Sequence, residues 1–214
     1  MIPPDLGSLL QIWAGGICFG VGLVAWWRVV GKGFVILGVV VAGVIGGLGA
    51  ALTGQPVAWA ALVLSLTALI SLRVAPWALL AAAVTWLGAS AGPLGWGAVS
   101  GSLALGGVTA EMLLGHWYLI DPRLPRWALR NLALLGLAGV ALDLAYALAG
   151  PGVSLLAAPG VTLILGLTSL VLLVGVVFSL RVPSYPGVMA ATGLSYLAVL
   201  TSLGAVSLTR ALGV

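Results

Sequence analysis

Residues 33–53 read GFVILGVVVAGVIGGLGAALT, a run of 21 residues without a charged side chain. At 1.5 Å of rise per residue, a helix of this length covers the hydrocarbon core of a bilayer, which is roughly 30 Å thick. Lys32 stands directly before the run, and the turn-forming residues Gly54, Gln55 and Pro56 follow it. The stretch therefore predicts a transmembrane helix with polar ends.

The rest of the chain repeats this pattern. Of its 214 residues, 62% are hydrophobic and 6% are charged, which is more apolar surface than a soluble domain of this size can bury. Turn residues and single basic residues divide the sequence into eight apolar runs, at about 8–29, 33–53, 57–73, 76–92, 96–118, 127–149, 154–180 and 186–210. We therefore predict an all-α, polytopic integral membrane bundle of eight transmembrane helices with short loops, forming a single domain over residues 1–214.

Glycine and proline mark the predicted breaks between runs. A Gly-Pro pair at 92–93 separates the fourth run from the fifth, and a Gly-Pro-Gly triplet at 150–152 separates the sixth from the seventh. The third and fourth runs are short, and the alternative is to merge them into one helix. That alternative gives seven crossings and places Arg73 in the middle of the bilayer, where a charge is costly, so eight crossings are favoured.

Basic residues decide the predicted orientation. With eight crossings and an outside N-terminus, seven basic residues fall on the inner side and one on the outer side, as the positive-inside rule requires. The inner residues are Arg28, Lys32, Arg73, Arg123, Arg126, Arg130 and Arg181, and the outer one is Arg210. Both termini are therefore predicted outside, in agreement with the acidic Asp5. Scarce lysine beside plentiful arginine, alanine and glycine suggests a bacterial protein, which we expect in the inner (cytoplasmic) membrane.

Small residues recur at four-residue intervals in the second run, where Ala42, Gly46 and Ala50 share one helical face and Gly43 and Gly47 another. Such spacing lets helix backbones approach closely. We expect it to serve packing within the bundle, with an oligomer face as the alternative.

Three ionisable residues lie within the predicted crossings: Glu111, His116 and Asp143. An unpaired charge there is disfavoured by a few kcal/mol at least. Glu111 lies about 10 Å inside the inner boundary, and Arg130 of the next, antiparallel helix enters at a similar depth. We therefore predict a Glu111–Arg130 ion pair assisted by Asn131. The alternative is a role of Glu111 in proton movement or in hydrogen-bonding a ligand.

The polar residues around this point form a candidate ligand or proton site with Glu111, His116, Tyr118, Arg130 and Asn131. The loop that follows, with Asp121, Arg123 and Arg126, is predicted to dock a partner protein. Polar groups at an intramembrane edge are typical of a ligand head group or a docked protein.

Asp143 is a second intramembrane acid, near the outer end of the sixth run. Arg210 is the cation that can reach it, and Tyr146 could donate a hydrogen bond to it. Three states stay open for Asp143: an ion pair with Arg210, a protonated buried acid, or a member of a polar path.

The residue types argue against metal, haem and nucleic acid. His116 is the sole histidine, so bis-histidine haem ligation is impossible, and Met189 offers a His/Met alternative that nothing else favours. Scattered carboxylates lack metal-ligand spacing. A quinone is the cofactor that the candidate site leaves open. The basic residues are strung along the chain, so no nucleic-acid partner is expected.

No catalytic motif occurs in the sequence, which disfavours an enzyme. The favoured function is a non-catalytic integral membrane subunit of a larger respiratory or redox complex, anchoring partner subunits and shaping a quinone or proton site near the cytoplasmic interface. The predicted topology is similar to that of anchor subunits of the dimethyl-sulfoxide-reductase type, an analogy of helix number and termini. One alternative is a small-solute or ion transporter or channel, for which Pro159 and Gly160 could unwind backbone. A second is a lipid-modifying membrane enzyme.

Overall fold

The computed structural model describes residues 4–149 and 158–211. Within these ranges the chain forms eight α-helices and no β-strand. The helices are α1 (Pro4–Trp26), α2 (Lys32–Thr53), α3 (Pro56–Thr67), α4 (Ala75–Leu94), α5 (Trp96–Tyr118), α6 (Arg126–Ala149), α7 (Ala158–Ser179) and α8 (Tyr185–Ala211). The predicted break at 150–152, the predicted start of the seventh run, and the side chains of Asp5 and Pro159 lie outside the described residues.

Seven of the described helices are long and apolar enough to cross a bilayer, and α3 is the exception. Large apolar side chains point away from the packed faces, such as Ile164 and Val171, which are 64% and 72% exposed. Such a surface is stable against lipid tails and is disfavoured in water. These features are those of a multi-pass membrane protein.

Glycines with positive φ follow two of the helices. Gly54 (φ 67°) ends α2 and donates its N–H to the Ala50 carbonyl at 2.8 Å. Gly95 (φ 54°) ends α4 and donates its N–H to the Ala91 carbonyl at 2.8 Å. The predicted break at 92–93 is therefore too early, because the helix continues through Gly92 and the glycine that adopts positive φ is Gly95.

The third helix is shorter than the predicted run 57–73. α3 has 12 residues, about 18 Å of rise, and residues 68–74 form turns before α4. The Thr67 hydroxyl donates to the Leu64 carbonyl at 2.7 Å, and such side-chain bonds compete with the backbone N–H groups for carbonyls in the last turn. α3 and α4 pack against each other as separate helices, so the alternative of one merged helix is wrong, whereas the number of crossings stays a prediction.

The segment between α2 and α4 follows α1 along most of its length. Gln11 Nε2, in the first half of α1, donates to Thr53 Oγ1 at 2.7 Å. Cys18 Sγ, further along α1, lies 3.4 Å from Ser65 Oγ of α3. Arg73, just before α4, lines a cleft with the end of α1. Although α3 is short, the chain between these points passes from the first half of α1 to its end.

The chain divides into two compact units, Met1–Ser102 and Leu103–Val214. In the first unit, α1 and α3 each pack against both α2 and α4. In the second unit, α8 packs against α6 and α7, and α6 also packs against α7. The single domain expected for residues 1–214 stays a prediction.

Trp86 forms the centre of the first unit. Its side chain is fully buried, and its Nε1 donates to Ser65 Oγ at 3.4 Å. A Cβ added to Gly46 would lie 2.5 Å from the Trp86 ring, and one added to Gly15 would lie 2.9 Å from Trp86 Cβ. The small residues of α2 thus serve packing inside this unit, as expected, with Gly43 facing Leu62 of α3.

In the second unit, α5 and α6 approach through their backbones. A Cβ added to Gly107 would lie 2.7 Å from the backbone N and Cα of Gly136. One added to Gly139 would overlap the backbone of Leu103 and Ala104. Glycine is required at these positions because any side chain would separate the helices.

Candidate functional site

The candidate site of the second unit lies between α5 and α8. Glu111 of α5 is fully buried, and its Oε2 accepts a hydrogen bond from Ser195 Oγ of α8. Glu111 Oε1 has no hydrogen-bond partner among the described residues. Ser195 Oγ also lies 2.8 Å from the carbonyl oxygen of Ala191, to which it can donate. A buried carboxyl with one free oxygen can hold a proton or accept a hydrogen bond from a ligand.

Two further contacts between α5 and α8 lie toward the end of α5. Together with the Glu111–Ser195 contact they form what we call the α5–α8 seam. Gly115 lets α8 approach, because a Cβ there would lie 2.5 Å from Thr192 Oγ1. One residue on, His116 Nδ1 lies 3.4 Å from the hydroxyl of Tyr196, and both side chains are exposed. The buried carboxyl therefore lies little more than one helical turn from an exposed imidazole–phenol pair.

Tyr118 ends the seam. Its side chain is 6% exposed, and its ring centroid lies 6.4 Å from that of Tyr185, at the start of α8, with 36° between the ring planes. The structure thus brings together three of the predicted site residues, Glu111, His116 and Tyr118, along the face that α5 presents to α8.

The predicted ion pair between Glu111 and Arg130 is not formed: Glu111 bonds to Ser195 instead. Arg130 and Asn131 are exposed on α6. α6 buries the face that carries Leu129, Leu132, Ala133 and Gly136, and helical periodicity puts positions 130 and 131 on the other side. Similar depth in the membrane was the basis of the predicted pair, but depth alone does not orient a side chain.

The partners that sequence reasoning missed are on α8: Thr192, Ser195, Tyr196 and Tyr185. A signal for them exists in the sequence. Hydroxyl residues recur at helical intervals along α8, and the structure buries four of them on one face: Thr192, Ser195, Ser202 and Thr209. Buried hydroxyls inside an apolar helix indicate a polar partner on a neighbouring helix.

The predicted docking loop is partly committed to internal contacts. Asp121 Oδ1 accepts a hydrogen bond from the Arg123 backbone N–H at 3.2 Å, and both side chains are exposed. Arg126 Nη1 instead donates to the Val182 carbonyl at 2.5 Å, which ties the start of α6 to the segment before α8. Asp121 and Arg123 are therefore the members of the loop that present charge outward.

Asp143 forms an ion pair with Arg210, one of the three states left open by the sequence. Arg210 Nη1 donates to Asp143 Oδ2 at 2.8 Å and Nη2 donates to Oδ1 at 2.5 Å. Asp143 and Arg210 are 4% and 6% exposed. The hydrogen bond from the Tyr146 hydroxyl to Asp143 that the sequence allowed is not formed. The centroid of the Tyr146 ring instead lies 5.6 Å from Arg210 Cζ, a cation–π contact.

A small cavity adjoins this pair. It measures about 10 Å³ and is lined in part by Asp143, Thr162, Ser202 and Thr209, which is room for about one water molecule. Ser202 Oγ is buried and has no hydrogen-bond partner among the described residues. The contacts of Glu111 and Asp143 with α8, at Ser195 and Arg210, are 15 residues or about 22 Å apart, so the two acids belong to separate sites.

Comparison with known proteins found no match, neither to a family model nor to a curated protein nor to a solved structure. Across residues 4–149 and 158–211, no three histidine, cysteine or carboxylate side chains lie together as metal ligands. Function is therefore inferred from the arrangement of side chains.

Proposed function

We propose that this chain is a non-catalytic membrane subunit of a larger respiratory or redox complex, and that Glu111 is the centre of its proton or quinone site. One observation carries the proposal: a fully buried glutamate has a single hydrogen-bond partner, Ser195, and a carboxyl oxygen without one. Ionisable groups inside membrane helices are costly, and those that occur there typically mark proton relays or ligand sites.

Ser195 supports exchange of a proton at Glu111. Its hydroxyl carries one proton and lies within reach of two acceptors, Glu111 Oε2 and the Ala191 carbonyl. When the carboxyl is protonated, it donates to Ser195 Oγ while the hydroxyl donates to Ala191. When the carboxyl is ionised, the hydroxyl can donate to it instead. Ser195 therefore offers a hydrogen bond to both states of Glu111, as a group that gains and loses a proton during turnover requires.

His116 and Tyr196 are the polar groups that follow Glu111 toward the end of α5. His116 follows Glu111 by five residues on α5, about 7.5 Å of rise, and its imidazole contacts the Tyr196 hydroxyl at an exposed position. Imidazole and phenol can pass a proton inward or bind the carbonyl oxygens of a quinone head group. Asp121 and Arg123, exposed on the loop beyond α5, are the charges offered to a partner subunit.

The proposed topology has eight crossings with both termini outside, in the cytoplasmic membrane of a bacterium. The third crossing consists of α3 and the turns that follow it, since this segment runs from beside Thr53 to the end of α1. In the first unit, Arg28 and Arg73 line the same cleft. In the second unit, Arg126 bonds to Val182, next to Arg181. Each unit therefore gathers basic residues at one end, in support of the charge asymmetry.

Extraction of the tagged chain from its own membranes with a mild detergent tests the proposal. We expect stoichiometric partner proteins and quinone-linked electron flow in the extract. Glu111→Gln keeps the size and hydrogen-bonding capacity of the side chain but removes the exchangeable acid. It should leave assembly intact and slow electron flow about 100-fold or more, the usual contribution of a proton-transfer group.

Thr168→Val, which removes an exposed hydroxyl from α7 of the same unit, is the control and should assemble and turn over like the parent. A chain that extracts without partners contradicts the subunit proposal. Assembly and turnover of Glu111→Gln at the parent level would contradict the role of Glu111 and leave the α5–α8 seam with a packing role.

A second candidate function, movement of protons or a small solute across the membrane, is supported by the buried hydroxyls of α8. Ser202, with a free Oγ, and Thr209 line the water-sized cavity beside Asp143. Reconstitution of the purified chain into liposomes that contain a pH-sensitive dye tests this function. Proton flux that Ser202→Val abolishes would favour transport, whereas tight liposomes would rule out a proton pathway through the isolated chain.

A further inference from the structure

A large cleft in the first unit lies far along the sequence from the proposed proton site. It measures about 700 Å³ and opens between the end of α1 and the start of α4, beside the turns that follow α3. Two arginines, two tryptophans and two aliphatic residues contribute to its lining: Trp26, Arg28, Val30, Leu72, Arg73 and Trp77. This space exists because α3 ends early, at Thr67. Residues 68–74 form turns where a longer α3 would have packed against α4.

The two arginines of the cleft lack a counter-charge. Neither Arg28 nor Arg73 makes an ion pair or a side-chain hydrogen bond within the described residues. The first unit has one acid in its sequence, Asp5, which stands in the first turn of α1, about 32 Å of helix from Trp26. Two guanidinium groups that line one cleft repel each other. The described residues of the first unit therefore supply no negative charge to this cleft.

The backbone at Arg28 adopts a left-handed conformation beside the cleft. Arg28 has φ 55° and follows the end of α1, where its N–H donates to the Ala25 carbonyl at 3.1 Å. Glycine is the usual residue at such a left-handed position after a helix, and a residue with a Cβ is disfavoured there by roughly 1 kcal/mol. A strained residue at a cleft suggests that its side chain serves binding.

The aromatic and aliphatic lining indicates which anion fits. Trp26 and Trp77 pack edge to face, with ring centroids 4.7 Å apart and planes at 78°, and both are about half exposed. Tryptophan at the end of a membrane helix lies at the level of lipid head groups. Val30 and Leu72 add apolar surface. A free phosphate would leave this surface without a contact, whereas a lipid would cover it with its glycerol and upper acyl chains.

We propose that this cleft binds an anionic phospholipid, with the head-group phosphate between Arg28 and Arg73 and the glycerol region against Trp26 and Trp77. Guanidinium groups suit phosphate because their N–H donors match its oxygens. Basic pockets among membrane helices bind anionic head groups by the same chemistry. This proposal is independent of the function proposed for Glu111.

Quenching of tryptophan fluorescence by brominated phosphatidylglycerol, in mixed micelles with phosphatidylcholine, tests the site. We expect a saturable component of the quenching, above the unsaturable quenching of the other seven tryptophans by bulk lipid, and this component should be lost in the double variant Trp26→Phe/Trp77→Phe. Arg28→Gly and Arg73→Gln should each weaken the apparent affinity about fivefold, and together about 25-fold, from the usual contribution of one basic residue near an anionic lipid. Arg28→Gly also removes the positive-φ strain, so it should fold at least as well as the parent.

Lys32→Gln is the matched control. The substitution removes one positive charge from the same end of the unit, and Lys32 does not line the cleft. It should change the affinity less than about twofold, since screening weakens a charge outside the site. Brominated phosphatidylcholine should bind more weakly than phosphatidylglycerol. Equal affinity for both lipids, or equal losses in Lys32→Gln and Arg73→Gln, would overturn the proposal. Displacement of the lipid by millimolar inorganic phosphate would assign the cleft to a free anion and overturn it as well.

Discussion

Asp143 and Arg210 are 67 residues apart in the sequence and form a bidentate ion pair, with nitrogen–oxygen distances of 2.8 and 2.5 Å. Both side chains are almost fully buried. Glu111, on the neighbouring helix α5, has no cation and bonds to a serine. The two buried acids of the second unit therefore differ in kind. Asp143 is neutralised by a permanent counter-charge, whereas Glu111 has a partner that accommodates both of its protonation states.

Removal of one partner of the Asp143–Arg210 pair should destabilise the protein, because the other partner is left as an uncompensated buried charge. Asp143→Asn leaves a buried guanidinium uncompensated, and we expect it to lower the free energy of unfolding by about 3–5 kcal/mol. Equilibrium unfolding in mixed micelles measures this change. Asp121→Asn, at an exposed acid, should stay within about 0.5 kcal/mol of the parent.

The double variant Asp143→Leu/Arg210→Met removes both charges together. It should recover most of the loss, because a well-packed apolar pair avoids the desolvation of two ions. A double variant that is less stable than Asp143→Asn would show that the pair is worth more than its replacement by apolar contacts.

The contact between α5 and α6 should not tolerate a single added methyl group. In Gly107→Ala the new Cβ would lie 2.7 Å from the Gly136 backbone, so the helices must separate, at a cost of about 1–3 kcal/mol. Gly88→Ala is the matched control, because a Cβ there meets no atom within 4 Å. It should be neutral or slightly stabilising, since alanine favours the helix. Thermal denaturation in detergent compares the two, and similar melting temperatures would count against the close helix approach.

Strain at Arg28 should be measurable without lipid. Arg28→Gly relieves the left-handed backbone (φ 55°) and should stabilise the detergent-solubilised protein by about 0.5–1 kcal/mol, whereas Arg28→Ala keeps the Cβ and should not. Denaturation in a detergent free of anionic lipid makes the comparison. Equal stabilities of the two variants would mean that the end of α1 carries no strain.

The orientation of the loop between α5 and α6 can be tested with a cysteine at Arg123, which is exposed, unlike the buried Leu124. If the loop is cytoplasmic, Arg123→Cys should resist an impermeant thiol reagent in intact cells and react once the cells are opened. Gln55→Cys lies at the end of the first unit opposite to Arg28 and Arg73, which is predicted to be outside, and it should react in intact cells. The parent is the background control, because Cys18 is buried. The reverse labelling pattern would invert the topology.

Hydropathy and turn residues were enough to predict an all-helical membrane protein and most helix bounds. Apolar length and helix-terminating glycines act locally, so runs such as 33–53 predict their helices without knowledge of their neighbours. Boundaries were missed where a competing local bond intervened, as at Thr67 in α3, or where a second glycine offered a better turn, as at Gly95.

Side-chain pairing was predictable for one acid and not for the other. Asp143 had one cation within reach at its depth, Arg210, and the structure pairs them. For Glu111 the sequence suggested Arg130 by depth, but α6 turns this residue outward and α8 supplies Ser195. Helical periodicity tells which residues share a face, yet it does not tell which neighbour that face meets.

The sequence by itself therefore determined that the chain is suited to lipid surroundings, that its fold is all-helical, and where its charges stand along the chain. These properties follow from composition and from interactions within a few residues. Tertiary structure alone decided that α8 partners Glu111, that a short α3 leaves a cleft, and that Arg28 and Arg73 share it. These relationships join residues that are tens of positions apart, and their formation depends on how whole helices rotate and pack against one another.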